Sequence, residues 1–193
     1  MTAHAVRQDQ NMLNGLDMEA LVATVAAIKA DPSLGDFEFR ARNQWMNGGA
    51  NRSRIRDFYG AGREDDTRTE PFEFINGEPP VLLGANEGAN PVEYLLHALA
   101  GCVTTTTVLH AAARGIHIRR LSTELKGRID VQGMLALDDS APVGYRSIEI
   151  EMDIEADCSD EELEDLLSFA RDHSPVCSTV CRPVPVTVTR LQR

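Results

Sequence analysis

The sequence is short of positive charge. Its 193 residues hold 19 Lys and Arg against 30 Asp and Glu, a formal charge of −11 with a pI near 4.9. Surfaces that hold nucleic acid or anionic lipid need an excess of cations facing phosphate, so both are excluded as partners. Long apolar runs are also missing. A membrane span takes about 20 consecutive apolar residues, and the most apolar segment, Pro91 to Ile116, is interrupted by Glu93, His97 and the threonines Thr104 to Thr107. The opening MTAHAVRQDQNMLNG has neither the apolar stretch nor the small-residue cleavage site of a secretory signal. A cytoplasmic protein with no membrane association is expected. Cysteine is scarce as well, with four in the chain. In a reducing compartment they are better read as free thiols, metal ligands or redox groups than as staples. The Gly-rich stretches GGANR and GAGRE lack the GK[ST] ending of a phosphate loop and read as turns. No internal repeat, low-complexity tract or long linker divides the chain.

What is present is a series of short periodic segments. Leu16 to Ala30 puts Leu21, Val25 and Ile28 on one helical stripe behind Asp17 as cap, which predicts a short N-terminal helix docked on the core. FEFRARNQW alternates as a half-buried strand, MNGGANRSRIRDFYGAGREDDTR reads as a loop or irregular hairpin, and PFEFI as another strand. Asn90 and Pro91 are a cap and a first-turn proline for a helix running to about Arg114, apolar over most of its circumference. Leu121 to Val131 predicts a strand. In Tyr145 to Glu155, Ile148, Ile150, Met152 and Ile154 alternate with acidic residues, so one sheet face is wet. Ser159 and Glu162 form a capping box for a helix that breaks near Pro175 and resumes through Cys181, and PVPVTVTRL closes the chain as a strand. The pattern is α+β, a mostly antiparallel sheet packed on a long central helix. Residues 1–36 form an N-terminal extension with a short helix, and 37–193 the main domain. A helix apolar nearly all round needs a second surface, which predicts a homodimer with the Cys102 helix near its interface.

Cys102 sits inside that apolar helix, and HSPVCSTVCRPVPV brings two more cysteines downstream, a combination that suggests thiol redox chemistry. With NPVEYLLHALAGC leading into a thiol-bearing helix, the turn Gly115 to Ile118, the strand Tyr145 to Glu155 and the SPV...PVPVTV ending, the chain from about Phe37 to Val188 resembles the OsmC/Ohr family, the osmotically inducible and organic hydroperoxide resistance proteins. The resemblance implies an intertwined homodimer with sites at the subunit interface. It implies thiol-dependent reduction of organic hydroperoxides or hydrogen peroxide without metal or bound cofactor, recycled by an external dithiol reductant.

Carried over by position, Cys102 matches the peroxidatic cysteine, whose thiolate attacks the O–O bond. An arginine and a glutamate support it in the family. Arg52 is the first candidate and Arg54 the second, with Arg40 and Arg42 also open, and Glu93 is the carboxylate. Two departures stand out. Val92 follows the Asn-Pro pair where the family's glutamate is common. Glu93 then precedes Cys102 by nine residues, a rotation of about 900° and a rise of about 13 Å on a straight helix, so it serves only across an interface or through a bend. Ser174 stands where the family's resolving cysteine is common, which leaves Cys177 as the resolving candidate and Cys181 as a further one.

The remaining readings are plainer. Cys158 is structural; His97 and His110 pack in the core. His173, Cys177 and Cys181 fall at i, i+4 and i+8, a stripe that a continuous helix could offer to zinc, but Pro175 interrupts it and no metal is expected. Two functions remain in view: a thiol peroxidase, either with Cys177 resolving or with external thiol acting directly, and a non-catalytic relative that binds a small apolar ligand in the dimer-interface cleft.

Overall fold

The computed structural model describes residues 11–191; the start of the expected 1–36 extension and the last two residues of the expected 37–193 domain lie outside the described residues. The chain divides into two compact units, residues 11–12 with 17–95, and residues 13–16 with 96–191.

The first unit opens with helix α1 (Met18–Ala30), whose N-cap Asp17 accepts from the amides of Glu19 and Ala20. None of its residues is buried and Val22, Val25 and Ile28 are exposed, so the expected docking on a core is not seen within this unit. The expected single strand after it is two pieces, β3 (Glu38–Phe39) and β4 (Arg42–Asn47). The Gly- and Arg-rich stretch is more regular than a loop. It supplies β5 (Ala50–Ile55), β6 (Phe58–Gly60) and β7 (Arg63–Asp65). With β8 (Phe72–Asn76), these form two antiparallel sheets of order β4-β5-β8 and β3-β6-β7. Phe37, Phe39 and Phe58 stack along the second sheet with ring centroids 5.5–6.4 Å apart.

Two short strands, β1 (Met12–Leu13) and β2 (Leu16–Asp17), flank Asn14 and Gly15, both at positive φ. An Asn-Gly pair tolerates that conformation and so favours the tight hairpin turn. The same Asn14 side chain donates to Ile116 O at 2.9 Å and accepts from Ile118 N at 2.8 Å, tying residues 13–16 to the second unit.

Helix α2 (Pro91–Ala113) begins as expected. Asn90 Oδ1 accepts from Val92 N, while Glu93 Oε2 reaches back to Asn90 N at 2.8 Å, so two otherwise orphaned amides are satisfied. It ends at Gly115, whose φ of 74° lets the amides of Gly115 and Ile116 return to Ala112 O and Ala111 O in a Schellman cap. By length and composition α2 is the one described helix that could cross a membrane. Leu99, Val103, Thr107 and Ala111, at i, i+4, i+8 and i+12, are buried. Thr107 Oγ1 satisfies itself on Val103 O at 2.9 Å.

In the second unit that stripe faces a two-stranded antiparallel sheet, β9 (Ile118–Ile129) with β10 (Tyr145–Ala156). Leu125, Ile148, Ile150 and Met152 pack against Leu99 and Val103, while the acidic residues of β10 face out. Between the strands lies a single turn, α3 (Val131–Met134). The capping box at Ser159 starts α4 (Asp160–His173), whose Leu166 is fully buried against Ala111 and Ile116. Helix α5 (Pro175–Cys181) follows. The expected last strand does not form among the described residues. Pro183 and Pro185 lack the amides a sheet ladder uses, and Val184, Val186 and Val188 are exposed. Antiparallel sheets and a long apolar helix give the α+β architecture read from the sequence.

Candidate active site

A break between two helices builds the site. Proline cannot continue a helix, because it lacks the N–H and drives the preceding residue to extended backbone. Ser174 accordingly lies at φ −75° and ψ 117°, ending α4 and capping α5, with Pro175 in the first turn of α5. It is completely buried. Its hydroxyl accepts from Cys177 N at 3.3 Å and donates to Cys102 Sγ at 3.2 Å. The amide of Val176 points at the same sulfur from 3.5 Å. A hydroxyl can do both at once. The half-buried Cys102 sulfur therefore receives a hydroxyl and a backbone amide, donors that are worth most when the acceptor is anionic.

Cys177 leaves the third position of α5 and is buried with Leu99 and Val103. Burial pushes its thiol pKa up, and the neighbouring Cys181 thiol one turn later pushes the same way, against a weaker opposing effect of Arg171. Cys181 is exposed. Both thiols line an open cavity of about 550 Å³ with Val103, Ile150, Leu167 and Arg171. Cys158 lies apart, packed with Ala111, Ile116 and Leu166, and its thiol is raised first by burial and then by Glu162, Asp157 and Asp160.

The other expected site residues lie in the first unit. Arg52, on β5, is half-buried, and its Nε is the only buried side-chain polar atom without a hydrogen-bond partner among the described residues. Arg54 pairs with Glu73, and Arg40 with Glu38 and Glu64. Arg42 is exposed on β4. Glu93 is exposed, with its carboxylate on Asn90 N. The structure thus brings Ser174, Val176 and Cys102 together, places Cys177 in the hydrophobic cluster beside them, and engages Glu93 in helix capping. Arg171 was not singled out from the sequence, since the break at Ser174 hides any common period between it and the thiols. That break also puts His173 on α4 and Cys177 and Cys181 on α5. His173 stacks on Phe169 at 3.8 Å, and His110 meets the same ring edge-on. The imidazole of His110 is lowered by burial first, then by His173 and Arg114. No group of three metal-ligating side chains occurs among the described residues.

A long helix carrying a half-buried cysteine, backed by an antiparallel sheet and closed by a Ser-Pro helix start, defines an α+β protein with a thiol site. The family model described as OsmC-like protein matches residues 84–189, and the chain belongs to that family. Its fold is similar to an OsmC-like protein from Mycoplasma pneumoniae (19% identity, 75% of this chain and 87% of that one, TM-score 0.58). It is also similar to an organic hydroperoxide resistance protein OsmC from Legionella pneumophila (14%, 74% and 88%, TM-score 0.52). A third is an organic hydroperoxide resistance protein from Elizabethkingia anophelis (19%, 74% and 86%, TM-score 0.50). At these identities the likeness is one of fold. No curated protein matches the chain in sequence.

Proposed function

We propose that the protein is a cytoplasmic thiol-dependent peroxidase, reducing organic hydroperoxides at Cys102 and recycled by an external dithiol. The observation that carries this reading is the pair of donors on the Cys102 sulfur, Ser174 Oγ at 3.2 Å and Val176 N at 3.5 Å. Donors so placed stabilise a thiolate, the form that attacks the O–O bond. Attack transfers the distal oxygen to sulfur, giving Cys102 sulfenic acid and an alcohol. Cys177 then condenses with the sulfenic acid, forming a Cys102–Cys177 disulfide and water. The apolar residues around Cys177 favour an organic hydroperoxide over hydrogen peroxide. Relatives of the same fold bear the name organic hydroperoxide resistance protein, which supports the substrate class.

Arg52 is the arginine assigned to the reaction. Its buried, unsatisfied Nε–H suits an anionic acceptor, whereas Arg40 and Arg54 already hold carboxylates. Glu93 would orient the site from a second subunit. The proposed assembly is a homodimer, supported by the exposure of Leu95 and Leu109 on α2 and of Val184, Val186 and Val188 in the tail.

One observation favours the second reading, a non-catalytic binding protein. The group touching the Cys102 sulfur at the family's resolving position is a hydroxyl, which cannot form a disulfide. The two readings separate on one experiment. Reduced protein is mixed with one equivalent of cumene hydroperoxide, quenched with an alkylating agent and mapped by mass spectrometry. A Cys102–Cys177 disulfide supports the two-cysteine peroxidase. Cys102 sulfenate alone means that external thiol acts directly, and unreacted Cys102 leaves the binding protein.

A further inference from the structure

The two thiols of α5 differ in access but share one cavity. Cys177 is 8% exposed and lies in the cluster with Leu99 and Val103, while Cys181, four residues on, is exposed and lines the same cavity. Positions i and i+4 share a helix face, with Cβ atoms about 5–6 Å apart. Both side chains line the same cavity, so the face they share is one open space. A disulfide needs Cβ atoms about 4 Å apart, so the last turn must tighten or fray. That turn is free to do so, because Cys181 is the final residue of a seven-residue helix and is followed by exposed chain. Arg171 lines the same cavity, and its positive charge opposes the rise of the Cys177 thiol.

We propose that Cys177 and Cys181 form a relay that carries the oxidising equivalent from Cys102 to the surface, where the external dithiol collects it. The inference rests on the peroxidase reading and adds the step between the buried disulfide and the reductant. In that step the Cys181 thiolate attacks Cys177 Sγ. The Cys177–Cys181 bond forms, the Cys102–Cys177 bond breaks, and the electron pair leaves with Cys102, which ends with the proton Cys181 gave up. No net oxidation or reduction occurs in this exchange. The external dithiol then delivers two electrons and two protons to the Cys177–Cys181 disulfide and departs as its own disulfide.

The direction of exchange follows from what surrounds each sulfur. Thiol exchange runs faster when the leaving sulfur is stabilised as a thiolate. The Ser174 hydroxyl and the Val176 amide wait on Cys102, whereas Cys177 sits among apolar side chains. Attack at Cys177 with Cys102 departing is therefore the favoured outcome. Access points the same way, since Cys177 is buried and Cys181 is open to solvent.

The test is a rapid-quench time course on the full chain. Reduced protein receives one equivalent of cumene hydroperoxide, is quenched by alkylation at increasing times, and its disulfides are mapped. In the wild type, Cys102–Cys177 should appear first and convert to Cys177–Cys181, with Cys102 becoming alkylatable again. In Cys181→Ser the first disulfide should form at the wild-type rate and persist. Turnover with excess dithiothreitol should then fall roughly tenfold or more, as the reductant must reach a buried bond. A wild type that stops at Cys102–Cys177, with Cys181→Ser turning over as fast, overturns the relay and leaves the peroxidase intact. A Cys102 that never oxidises overturns both. The wild-type time course decides the matter even if the variant folds poorly.

Discussion

Ser174 Oγ lies 3.2 Å from Cys102 Sγ and donates its proton to it, while accepting from Cys177 N at 3.3 Å. One buried hydroxyl therefore links the Cys102 sulfur to the first turn of α5. A hydrogen bond to a charged acceptor contributes about 1.5–3 kcal/mol. Ser174→Ala should slow alkylation of Cys102 by iodoacetamide roughly tenfold to a hundredfold. The same change removes the α5 cap and costs about 1 kcal/mol of stability, readable in urea unfolding. Ser174→Thr, which keeps the hydroxyl, should recover part of both.

Placing sulfur at this contact tests the geometry from the other side. Ser174→Cys should form a disulfide with Cys102 on one-equivalent peroxide treatment, seen by peptide mapping, and divert oxidation from Cys177. Persistence of Cys102–Cys177 as the sole product would show that the 3.2 Å contact does not set the order of reaction.

The arginine assignment separates by partner. Arg52 has a buried Nε–H with no hydrogen-bond partner among the described residues, whereas Arg54 is paired with Glu73 at the surface. Arg52→Ala should lower peroxide consumption roughly tenfold, on the scale of losing a charge-assisted hydrogen bond. Arg54→Ala should leave it within about twofold, since exposed ion pairs contribute little. Equal losses in both would remove Arg52 from the mechanism.

Burial of Cys177 also sets a pH signature. Its thiol is raised in the folded protein, chiefly by desolvation, so on raising pH the unfolded chain ionises there first. The unfolded state then binds fewer protons than the folded one, and stability falls with pH. The contribution of Cys177 is full below the unfolded thiol value, near 8.5, and is lost as pH rises through the folded one. Unfolding midpoints from pH 7 to 10.5 should fall more steeply in the wild type than in Cys177→Ala. Parallel slopes would mean that the thiol is solvated in the folded state.

Leu166 anchors α4 to Ala111 and Ile116 within the second unit, with no exposed surface. Leu166→Ala should destabilise the protein by about 2–5 kcal/mol, the usual cost of such a cavity. Guanidinium unfolding reads this directly.

Legibility in the sequence followed the range of the interactions. The helix start at Asn90, the alternation of β10 and the capping box Ser159/Glu162 are set by neighbours a few residues apart, and each stands where the pattern put it. The β4–β5–β8 sheet was half hidden because its Asn-, Arg- and Ser-rich strand β5 lacks an apolar alternation, and while β4 pairs with it as a local hairpin, β8 joins from beyond the β6–β7 hairpin. The tail from Pro183 misled in the opposite sense. Its valines alternate like a strand, but alternation supplies no partner, and two prolines remove the amides that one would use. At the site, Cys102 was visible through the downstream cysteines and the resemblance carried by NPVEYLLHALAGC, since a thiol in an apolar helix is by itself ordinary packing.

The sequence by itself determined the local periods, the caps, the acidic balance and the helix break at Pro175, since each depends on side chains and dihedrals within a turn or two. Only the tertiary structure decided that the break delivers Ser174 and Val176 to the Cys102 sulfur, that Cys177 turns into the cluster beside Leu99 and Val103, and that Arg171 shares a cavity with both α5 thiols. Those relations join residues 72 and 74 positions apart across a packed interior. Burial and the direction of a donor are properties of the folded chain.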